Sequence, residues 1–310
     1  MNRVTVRVPA KVNLQLAVGP LRDDGYHDLV NVFHAVSLFD EVTATEHEPA
    51  SSTAAAGMLT VRVEGESAAD VPANSDNLAI RAARALAGWA GRSYGADLLI
   101  RKSIPVAGGM AGGSADAAAA LVACNELWGL GLPLGDLMEI GGDIGSDVPF
   151  ALFGGTAVGT GRGERLTAVE TSGVFQWVFA LADGGLSTPR VYGECDRLRE
   201  VAGETVAWPA ASEPLMAALR DGDAKALGLA LANDLQPAAL ALRPSLARTL
   251  DAGRERGALG AIVSGSGPTC AFLAESETHA AELAAALEAA GVCRSAVTAF
   301  GSVPGAVLLH

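Results

Sequence analysis

The chain has 310 residues, more than one hydrophobic core usually organises, so two domains or one two-lobed unit are expected. Its 22 basic and 35 acidic residues give a formal net charge of −13, and no block of Lys or Arg offsets that charge locally. This balance argues against nucleic acid and against an anionic membrane surface as partners. Any bound phosphate must therefore be held by groups of the binding site itself and not by a basic surface patch.

The cysteines are interpreted as small core residues, and the N-terminus favours a protein that stays in the cytoplasm. The cysteines are far apart, with no CxxC pair and no His cluster nearby, so neither a zinc site nor a disulfide framework is indicated. They are Cys124, Cys195, Cys270 and Cys293. Residues 1–13 lack the apolar core of a signal peptide, and the sequence has no run of about 18 apolar residues that would span a membrane.

Arginine supplies most of the positive charge. Of the 22 basic residues only Lys11, Lys102 and Lys225 are lysines. Chance or codon drift would explain these three without any function. The alternative is that a retained lysine marks a site that needs a compact ammonium rather than a planar guanidinium.

The first third of the chain is predicted to be mostly strands. Residues 3–8 alternate and run into Pro9, which predicts an edge strand followed by a turn. A second strand starts near residue 11, and the loop 19–29 carries Tyr26 and His27 to the next strand. Further strands are expected around 30–39, 41–46, 58–65 and 96–104. Ser75 or Asp76 can cap a helix over 77–91, and the Ala-rich residues 48–57 resemble a surface loop.

The rest of the chain alternates between helices and strands. Ser114 is expected to open a helix, a shorter helix follows at 132–145, and a strand pair lies within 150–169. We predict a boundary here, with domains at 1–168 and 169–310. The second domain begins with a strand at 174–183, helices dominate 213–256, and residues 257–276 form strand, glycine loop and strand. A helix at 278–291 and a strand at 295–300 complete it.

The most informative stretch is PVAGGMAGGSADA, residues 105–117, which links a predicted strand to a predicted helix. Such a loop can bring bare backbone N–H groups against phosphate oxygens, and the helix N-terminus adds the positive end of a dipole. A tight turn without a ligand would explain the glycines equally well. The loop is not a Walker motif, because no GxxxxGK[ST] occurs, and a dinucleotide fingerprint fits its context poorly.

This loop resembles the ATP loop of the GHMP kinases. The segments PAKVNLQL and SGSGPT resemble the first and third motifs of that superfamily, in the same order. Within it, the segments GYHDL, DNLAIRAA, IGSDVPFAL and NDLQ resemble the diphosphocytidyl-methylerythritol kinases. The resemblance implies a two-lobed α+β GHMP-kinase fold, with an N-terminal ribosomal protein S5 domain 2-like lobe and a C-terminal ferredoxin-like lobe.

The resemblance also implies a catalytic pair, in which Asp147 is the carboxylate and Lys11 its partner. Phosphoryl transfer to an alcohol needs the hydroxyl proton removed and the growing negative charge stabilised, which an Asp beside an ammonium can do. The competing interpretations are that Asp147 caps a turn before Pro149 and that Lys11 is a solvated edge-strand residue. Asp143 is interpreted as a turn former.

By the same resemblance the glycine loop binds ATP. The residues assigned to it are Pro105, Val106, Ala107, Gly108, Gly109, Met110, Ala111, Gly112, Gly113, Ser114 and Ala115. Met110 and Ala111 stand where Leu and Gly are frequent in the family. Lys102 matches a lysine that lies along the adenine, although it could equally be a surface charge at a strand end. Mg²⁺ is expected with ATP, and Ser114 is its proposed protein contact.

The residues that the resemblance assigns to the acceptor substrate are Asn13, Tyr26, His27, Tyr192, Ser266 and Gly267. A cytosine ring needs stacking faces and hydrogen-bond partners, which an aromatic residue and an imidazole on one loop supply. Tyr192 would form the second stacking face; without the resemblance it would be interpreted as a packing residue. The glycines of SGSGPT also fit a plain turn between two strands.

The implied reaction is ATP-dependent phosphorylation of 4-diphosphocytidyl-2-C-methyl-D-erythritol, a step of non-mevalonate isoprenoid synthesis. Two alternatives stay open. A sister kinase acting on mevalonate, homoserine or a sugar would keep the superfamily motifs, although GYHDL argues against it. A nucleotide-binding module without catalysis would keep the glycine loop and lose the Lys and Asp pair. A monomer or weak homodimer is expected.

Overall fold

The computed structural model describes residues 2–46, 57–106 and 108–309. Ala107 of the glycine loop lies outside the described residues, as does the surface loop predicted at 48–57 except for Gly57. Within the described ranges no helix is both long and apolar enough to cross a membrane.

The strands are β1 (Arg3–Leu21), β2 (His27–Thr45), β3 (Leu59–Gly65), β4 (Ala96–Lys102), β5 (Thr156–Gly161), β6 (Arg165–Ala168), β7 (Phe175–Leu181), β8 (Ala232–Asn233), β9 (Gly260–Val263), β10 (Cys270–Ala274), β11 (Ser295–Gly301) and β12 (Val307–Leu309). The helices are α1 (Leu78–Trp89), α2 (Gly112–Leu127), α3 (Leu134–Ile144), α4 (Val148–Phe153), α5 (Thr188–Ala202), α6 (Glu213–Asp221), α7 (Ala224–Ala230), α8 (Gln236–Leu242), α9 (Ser245–Glu255) and α10 (Glu277–Ala289).

The fold is the expected two-lobed α+β arrangement. In the first lobe the long strands β1 and β2 pair antiparallel along most of their length, and β4 and β5 pair with β2. The Ala-rich helix α2 is buried against this sheet together with α1. Small alanine side chains let α2 lie close to the strands, so the loop before it is held against a rigid surface.

The second lobe has the ferredoxin-like arrangement that the resemblance implies. Its strands follow the order β11-β7-β10-β9, with every neighbouring pair antiparallel. Helices separate β7 from β9 and β10 from β11 in the chain, which is the βαββαβ pattern. A separate cluster of apolar side chains packs α5, α8, α9 and α10 on this sheet.

The two lobes share one sheet, because β11 pairs with β2 as well as with β7. The last strand, β12, returns to the first lobe and pairs with β1. Sequence patterns did not predict β12. The division at residue 168 stays a prediction, and the C-terminal strands cross it.

Pro9 does not end the first strand, which corrects the prediction of two strands with a turn between them. β1 continues through Pro9, and its register with β2 shifts between Pro9 and Ala10. Proline lacks the N–H that a regular ladder requires, and a bulge accommodates this loss without ending the strand. The continuous strand carries Lys11 at its centre.

Two local predictions need correction, and two helices were missed. The cap of α1 is Asn77, whose side chain accepts a hydrogen bond from the Ala79 N–H, and not Ser75 or Asp76. Asp143 lies inside α3 and is not a turn former. Helices α4 and α5 were not predicted, since short apolar or mixed segments give weak periodic signals.

Candidate active site

Lys11 and Asp147 meet at the centre of the candidate site. Lys11 is buried in β1, and its Nζ lies 3.8 Å from Asp147 Oδ2, while the Asp147 side chain is 33% exposed. Burial lowers the pKa of Lys11, and the nearby charge of Asp147 only partly opposes this effect. Asp147 precedes α4, but its side chain makes no capping hydrogen bond. The competing interpretations, that Asp147 caps a turn and that Lys11 is a solvated edge-strand residue, do not fit this geometry.

A short polar chain fixes the Lys11 ammonium. Lys11 Nζ donates to Asn13 Oδ1 at 2.6 Å, and Asn13 Nδ2 donates to Asn31 Oδ1 at 3.2 Å. The ammonium also lies 5.8 Å from the ring centroid of Phe33. Asn13 was assigned to the substrate, and the structure shows that it also positions Lys11. Asn31 and Phe33 were not predicted; they lie on β2, opposite this part of β1.

The glycine loop is pinned against Lys11. The Lys11 N–H donates to the Met110 carbonyl at 3.3 Å, and the Ser264 hydroxyl donates to the Gly109 carbonyl at 3.1 Å. Gly109 has φ +76°, and a Cβ there would lie 2.1 Å from the Ser264 carbonyl oxygen. Only glycine fits this close approach. The loop therefore holds a fixed position beside Lys11.

Ser114 does not open the helix that follows. α2 begins at Gly112, two residues earlier, and Ala111 takes the left-handed conformation with φ 61° in front of it. Left-handed backbone is unfavourable for alanine by about 1–2 kcal/mol, which accounts for the glycine that is frequent at this position. Ser114 lies within the first turn and is half-buried, with its Oγ 3.8 Å from the place a Cβ on Gly145 would occupy.

Lys102 is enclosed beside the start of α2, where a Cβ on Gly112 would lie 3.1 Å from its Nζ. Its side chain is 1% exposed, and its Nζ bonds Asp40 Oδ2 at 2.5 Å and Asp116 Oδ2 at 2.8 Å. Burial alone would lower its pKa, but the charges of Asp116 and Asp40 raise it above the ordinary value. The structure contradicts both a surface charge and a direct contact with adenine, because the ammonium is enclosed.

This cluster holds the junction between β4 and the glycine loop. Asp40 Oδ1 accepts the backbone N–H groups of Ser103 and Ile104, at 2.6 and 2.9 Å. Asp116 lies in α2, so one ammonium links β2, β4 and the helix that starts at the loop. Sequence reasoning missed both aspartates, which lie 62 and 14 residues from Lys102.

The predicted substrate residues form a second group. The rings of His27 and Tyr192 stack with centroids 5.5 Å apart, and His27 Nδ1 lies 2.8 Å from the Gly19 carbonyl. Burial and then the charge of Asp147 raise the pKa of Tyr192. Tyr26 is 54% exposed. Tyr26 and Tyr192 are not stacked on each other, and an imidazole lies against Tyr192.

The SGSGPT loop completes the site. A Cβ on Gly265 would lie 3.3 Å from Lys11 Nζ, so this loop borders the ammonium. Ser266 Oγ lies 2.9 Å from Thr188 Oγ1 at the start of α5, and Gly267 follows with φ +77°. Asn233, in the NDLQ segment, holds the loop by donating to the carbonyls of Val263 and Gly265, both at 2.8 Å. The structure gives this segment a positional role.

A cavity adjoins the outer side of the glycine loop, in the cleft between the lobes. Its volume is about 360 Å³, and its lining includes Pro105, Val106 and Gly108 from the glycine loop and Asp183 and Thr269 from the second lobe. Among the described residues no group of three or more His, Cys, Asp or Glu side chains could hold a metal ion by itself.

Family models match both lobes of this fold. The GHMP kinases N terminal domain matches residues 77–155, and the GHMP kinases C terminal domain matches residues 215–293. The fold and these two matches define the class of protein as GHMP kinases. Homoserine kinase from Cytophaga hutchinsonii has the same fold, with a TM-score of 0.72 over 100% of this chain and 98% of that one, at 18% identity.

Full-length relatives identify one family within the GHMP kinases. A 4-diphosphocytidyl-2-C-methyl-D-erythritol kinase from Thermobifida fusca is 60% identical over 99% of this chain and 98% of its own. One from Streptomyces avermitilis is 59% identical over 99% of both. A crystal structure of 4-(cytidine 5'-diphospho)-2C-methyl-D-erythritol kinase has a TM-score of 0.76 at 30% identity, covering 95% of this chain and 98% of that one. The chain belongs to the 4-diphosphocytidyl-2-C-methyl-D-erythritol kinase family.

Proposed function

We propose that this protein transfers the γ-phosphoryl group of ATP to the 2-hydroxyl of 4-diphosphocytidyl-2-C-methyl-D-erythritol, releasing ADP and the 2-phosphate in non-mevalonate isoprenoid precursor synthesis. The observation that carries the proposal is the Lys11 and Asp147 pair beside the fixed glycine loop. Full-length relatives of this name support the choice of acceptor.

The catalytic pair supplies the chemistry at the acceptor hydroxyl. Asp147 is partly exposed and can accept the hydroxyl proton, while the Lys11 ammonium stabilises the negative charge that develops on the transferred group. Lys11 is buried with this one carboxylate among the described residues, at 3.8 Å, so its charge is incompletely neutralised. Because the transition state is loose, placement and charge contribute more than proton removal.

The glycine loop is the proposed ATP site. The first turn of α2 has unpaired backbone N–H groups, which bind phosphate oxygens, and the helix dipole favours negative charge there. The Ser114 hydroxyl and the oxygen ligands of ATP suit Mg²⁺, which prefers oxygen and keeps several waters. Mg²⁺ would neutralise phosphate charge when bound. Ser114 is the residue that we expect to hold it.

The cytidine end of the acceptor is assigned to the group around His27. Its imidazole and the Tyr192 ring form one aromatic surface, and the Tyr26 ring, next to His27 in the chain, is 54% exposed. Asn13, which holds the Lys11 ammonium, and Ser266 and Gly267, in the loop that borders it, are assigned to the rest of the acceptor.

Two other functions have weaker support. Homoserine kinase shares the fold at 18% identity, which carries no information on its substrate for this chain. A binding module without catalysis has no need of a buried ammonium held beside a carboxylate.

The test is coupled ADP release by the purified protein with ATP and Mg²⁺. The diphosphocytidyl alcohol, mevalonate, homoserine and galactose are offered separately. Turnover with the cytidine-linked alcohol alone is the expected result. Turnover with another alcohol would refute the proposed acceptor, and tight ATP binding without turnover on any of them would favour the non-catalytic module.

A further inference from the structure

Arg162 is a half-buried cation at the edge of the site, and no role has been assigned to it. It lies in the turn between β5 and β6, where its backbone N–H is fixed by Glu164 Oε2 at 2.7 Å. Its Nη2 donates a long bond of 3.4 Å to the Gly142 carbonyl, and its guanidinium carbon lies 5.7 Å from the Tyr26 ring centroid. Its side chain pairs with no carboxylate in the part of the chain that the structure describes.

The turn that carries Arg162 lies between the two ends of the candidate site. A Cβ on the next residue, Gly163, would lie 3.3 Å from both Asn31 Nδ2 and the Phe33 ring. Those two side chains adjoin Asn13 and the Lys11 ammonium. On its other side Arg162 contacts Tyr26. The turn that carries Arg162 therefore adjoins the residues around Lys11, and its guanidinium contacts the Tyr26 ring.

The contact with Gly142 gives the same placement. Gly142 lies on α3, five residues before Asp147, and a Cβ on it would lie 3.8 Å from the Pro149 ring. Arg162 thus touches the segment that leads into the catalytic carboxylate as well as the loop that carries Tyr26. A bond of 3.4 Å to a single carbonyl is weak, and the other N–H groups of the guanidinium are available to a ligand.

We propose that Arg162 binds the diphosphate of the acceptor substrate and so determines that the acceptor carries a nucleoside diphosphate. This inference rests on the proposed function. A molecule with its base at the aromatic end and its reacting hydroxyl at Asp147 must have its diphosphate between them. The guanidinium fork matches phosphate oxygens, and the chain, with a net charge of −13, needs a local cation there.

The competing explanation is that Arg162 only covers the Tyr26 ring. The two roles differ in their dependence on phosphate. A stacking role supports the base, and its loss weakens cytidine and CDP by the same factor. A diphosphate contact affects CDP and leaves cytidine unchanged.

The experiment compares Arg162→Gln with Arg165→Gln. Arg165 lies on the same hairpin, but its side chain is 80% exposed and 3.9 Å from Glu164, so it is a matched control for loss of one charge. Affinities for CDP, cytidine and ATP are measured by calorimetry, and KM and kcat with the diphosphocytidyl alcohol. A charge-assisted bond to phosphate corresponds to a change of about tenfold or more.

We expect Arg162→Gln to raise KM for the acceptor and Kd for CDP about tenfold, with cytidine, ATP and kcat little changed, and Arg162→Lys to recover part of the loss. Equal weakening of cytidine and CDP, or equal effects of the Arg162 and Arg165 variants, would overturn the inference. If the unmodified protein phosphorylates the cytidine-linked alcohol and Arg162→Gln matches it, the inference alone fails. If the unmodified protein prefers another alcohol, both the proposed function and this inference are refuted.

Discussion

Two lysines are buried in the first lobe, and their surroundings differ. Lys11 lies on β1, 3.8 Å from one carboxylate that is itself one-third exposed. Lys102 lies at the end of β4, within 2.5 and 2.8 Å of two carboxylates that are nearly inaccessible to solvent. Burial favours the neutral amine at both positions. At Lys102 the two negative charges outweigh that effect and raise its pKa, whereas at Lys11 burial prevails and lowers it.

The difference separates the charge that we propose for catalysis, that of Lys11, from a structural one, that of Lys102. An ammonium with incomplete neutralisation is ready to interact with negative charge that develops during a reaction, at some cost to stability. An ammonium shared by two enclosed carboxylates has no capacity left for a ligand, and it links three elements of the fold. The role of a buried lysine is therefore inferred from its partners, because both lysines are buried and burial does not distinguish them.

The largest expected effect is on turnover after Asp147→Asn. The amide keeps the size of the side chain and removes both the proton acceptor and the partner charge of Lys11. We expect kcat to fall by about 10²–10⁴-fold, with ATP affinity nearly unchanged because the glycine loop is intact. Steady-state kinetics and ATP titration measure the two quantities. Unchanged kcat would remove Asp147 from the mechanism.

The next effect contrasts the two lysines by stability. Lys102→Met leaves Asp40 and Asp116 buried without their cation, which costs about 3–5 kcal/mol of the free energy of unfolding. Lys11→Met leaves a carboxylate that water can reach, so we expect about 1 kcal/mol or less. Turnover should nevertheless be lost in Lys11→Met.

Urea unfolding of both variants measures this contrast, and the exposed Lys225, whose side chain is 71% exposed, provides the control substitution Lys225→Met. A stable Lys102→Met protein, or a Lys11→Met protein with normal kcat, would contradict the division into structural and reactive lysines.

The sequence predicted parts of this site, and the separation of the residues along the chain explains which parts. The glycine loop and the Lys11 and Asp147 pair belong to quoted motifs, and the structure brings them together. Lys102 was found, but its role was wrong, since its partner Asp40 lies 62 residues away and belongs to no motif. Pairing between strands places such residues together, and local pattern carries no signal of it.

The secondary-structure predictions also succeeded for local patterns and failed where tertiary contacts decide. The periodic helices α1, α3 and α10 were predicted at nearly their observed positions. β1 was predicted as two strands because proline usually ends a strand. In this fold β2 pairs with β1 on both sides of Pro9, and the tertiary context overrides the local preference.

A smaller effect appears in the titration of the lysine side chains. The sequence has only three lysines, so selective ¹³Cε labelling gives three signals, which single Lys→Arg variants assign. We expect Lys11 to titrate below and Lys102 above the ordinary range, following the lowered and raised pKa of the two groups. In Asp147→Asn the Lys11 signal should move to still lower pH, because the carboxylate that opposes the effect of burial is gone. Coincident titration of Lys11 and Lys102 would contradict the comparison.

The smallest expected effect is that of Asp116→Asn, and it depends on pH. Burial raises the pKa of Asp116 in the folded protein, so its ionisation opposes folding, and the wild-type protein loses stability as pH rises from about 4 towards that raised value. Asparagine cannot ionise. Asp116 Oδ1 has no hydrogen-bond partner among the described residues, so the substitution exchanges an unpaired acceptor for an unpaired donor and costs little by itself.

The stability of Asp116→Asn relative to the wild type should therefore improve as pH rises from about 5 to about 8. Urea unfolding at both pH values measures it, with the exposed Asp221→Asn as the control. A variant that loses stability relative to the wild type as pH rises would mean that Lys102 needs both negative charges. Both carboxylates around Lys102 would then be ionised. The Lys102 and Lys11 sites would differ in the number of carboxylate charges around the ammonium and not in the protonation of those carboxylates.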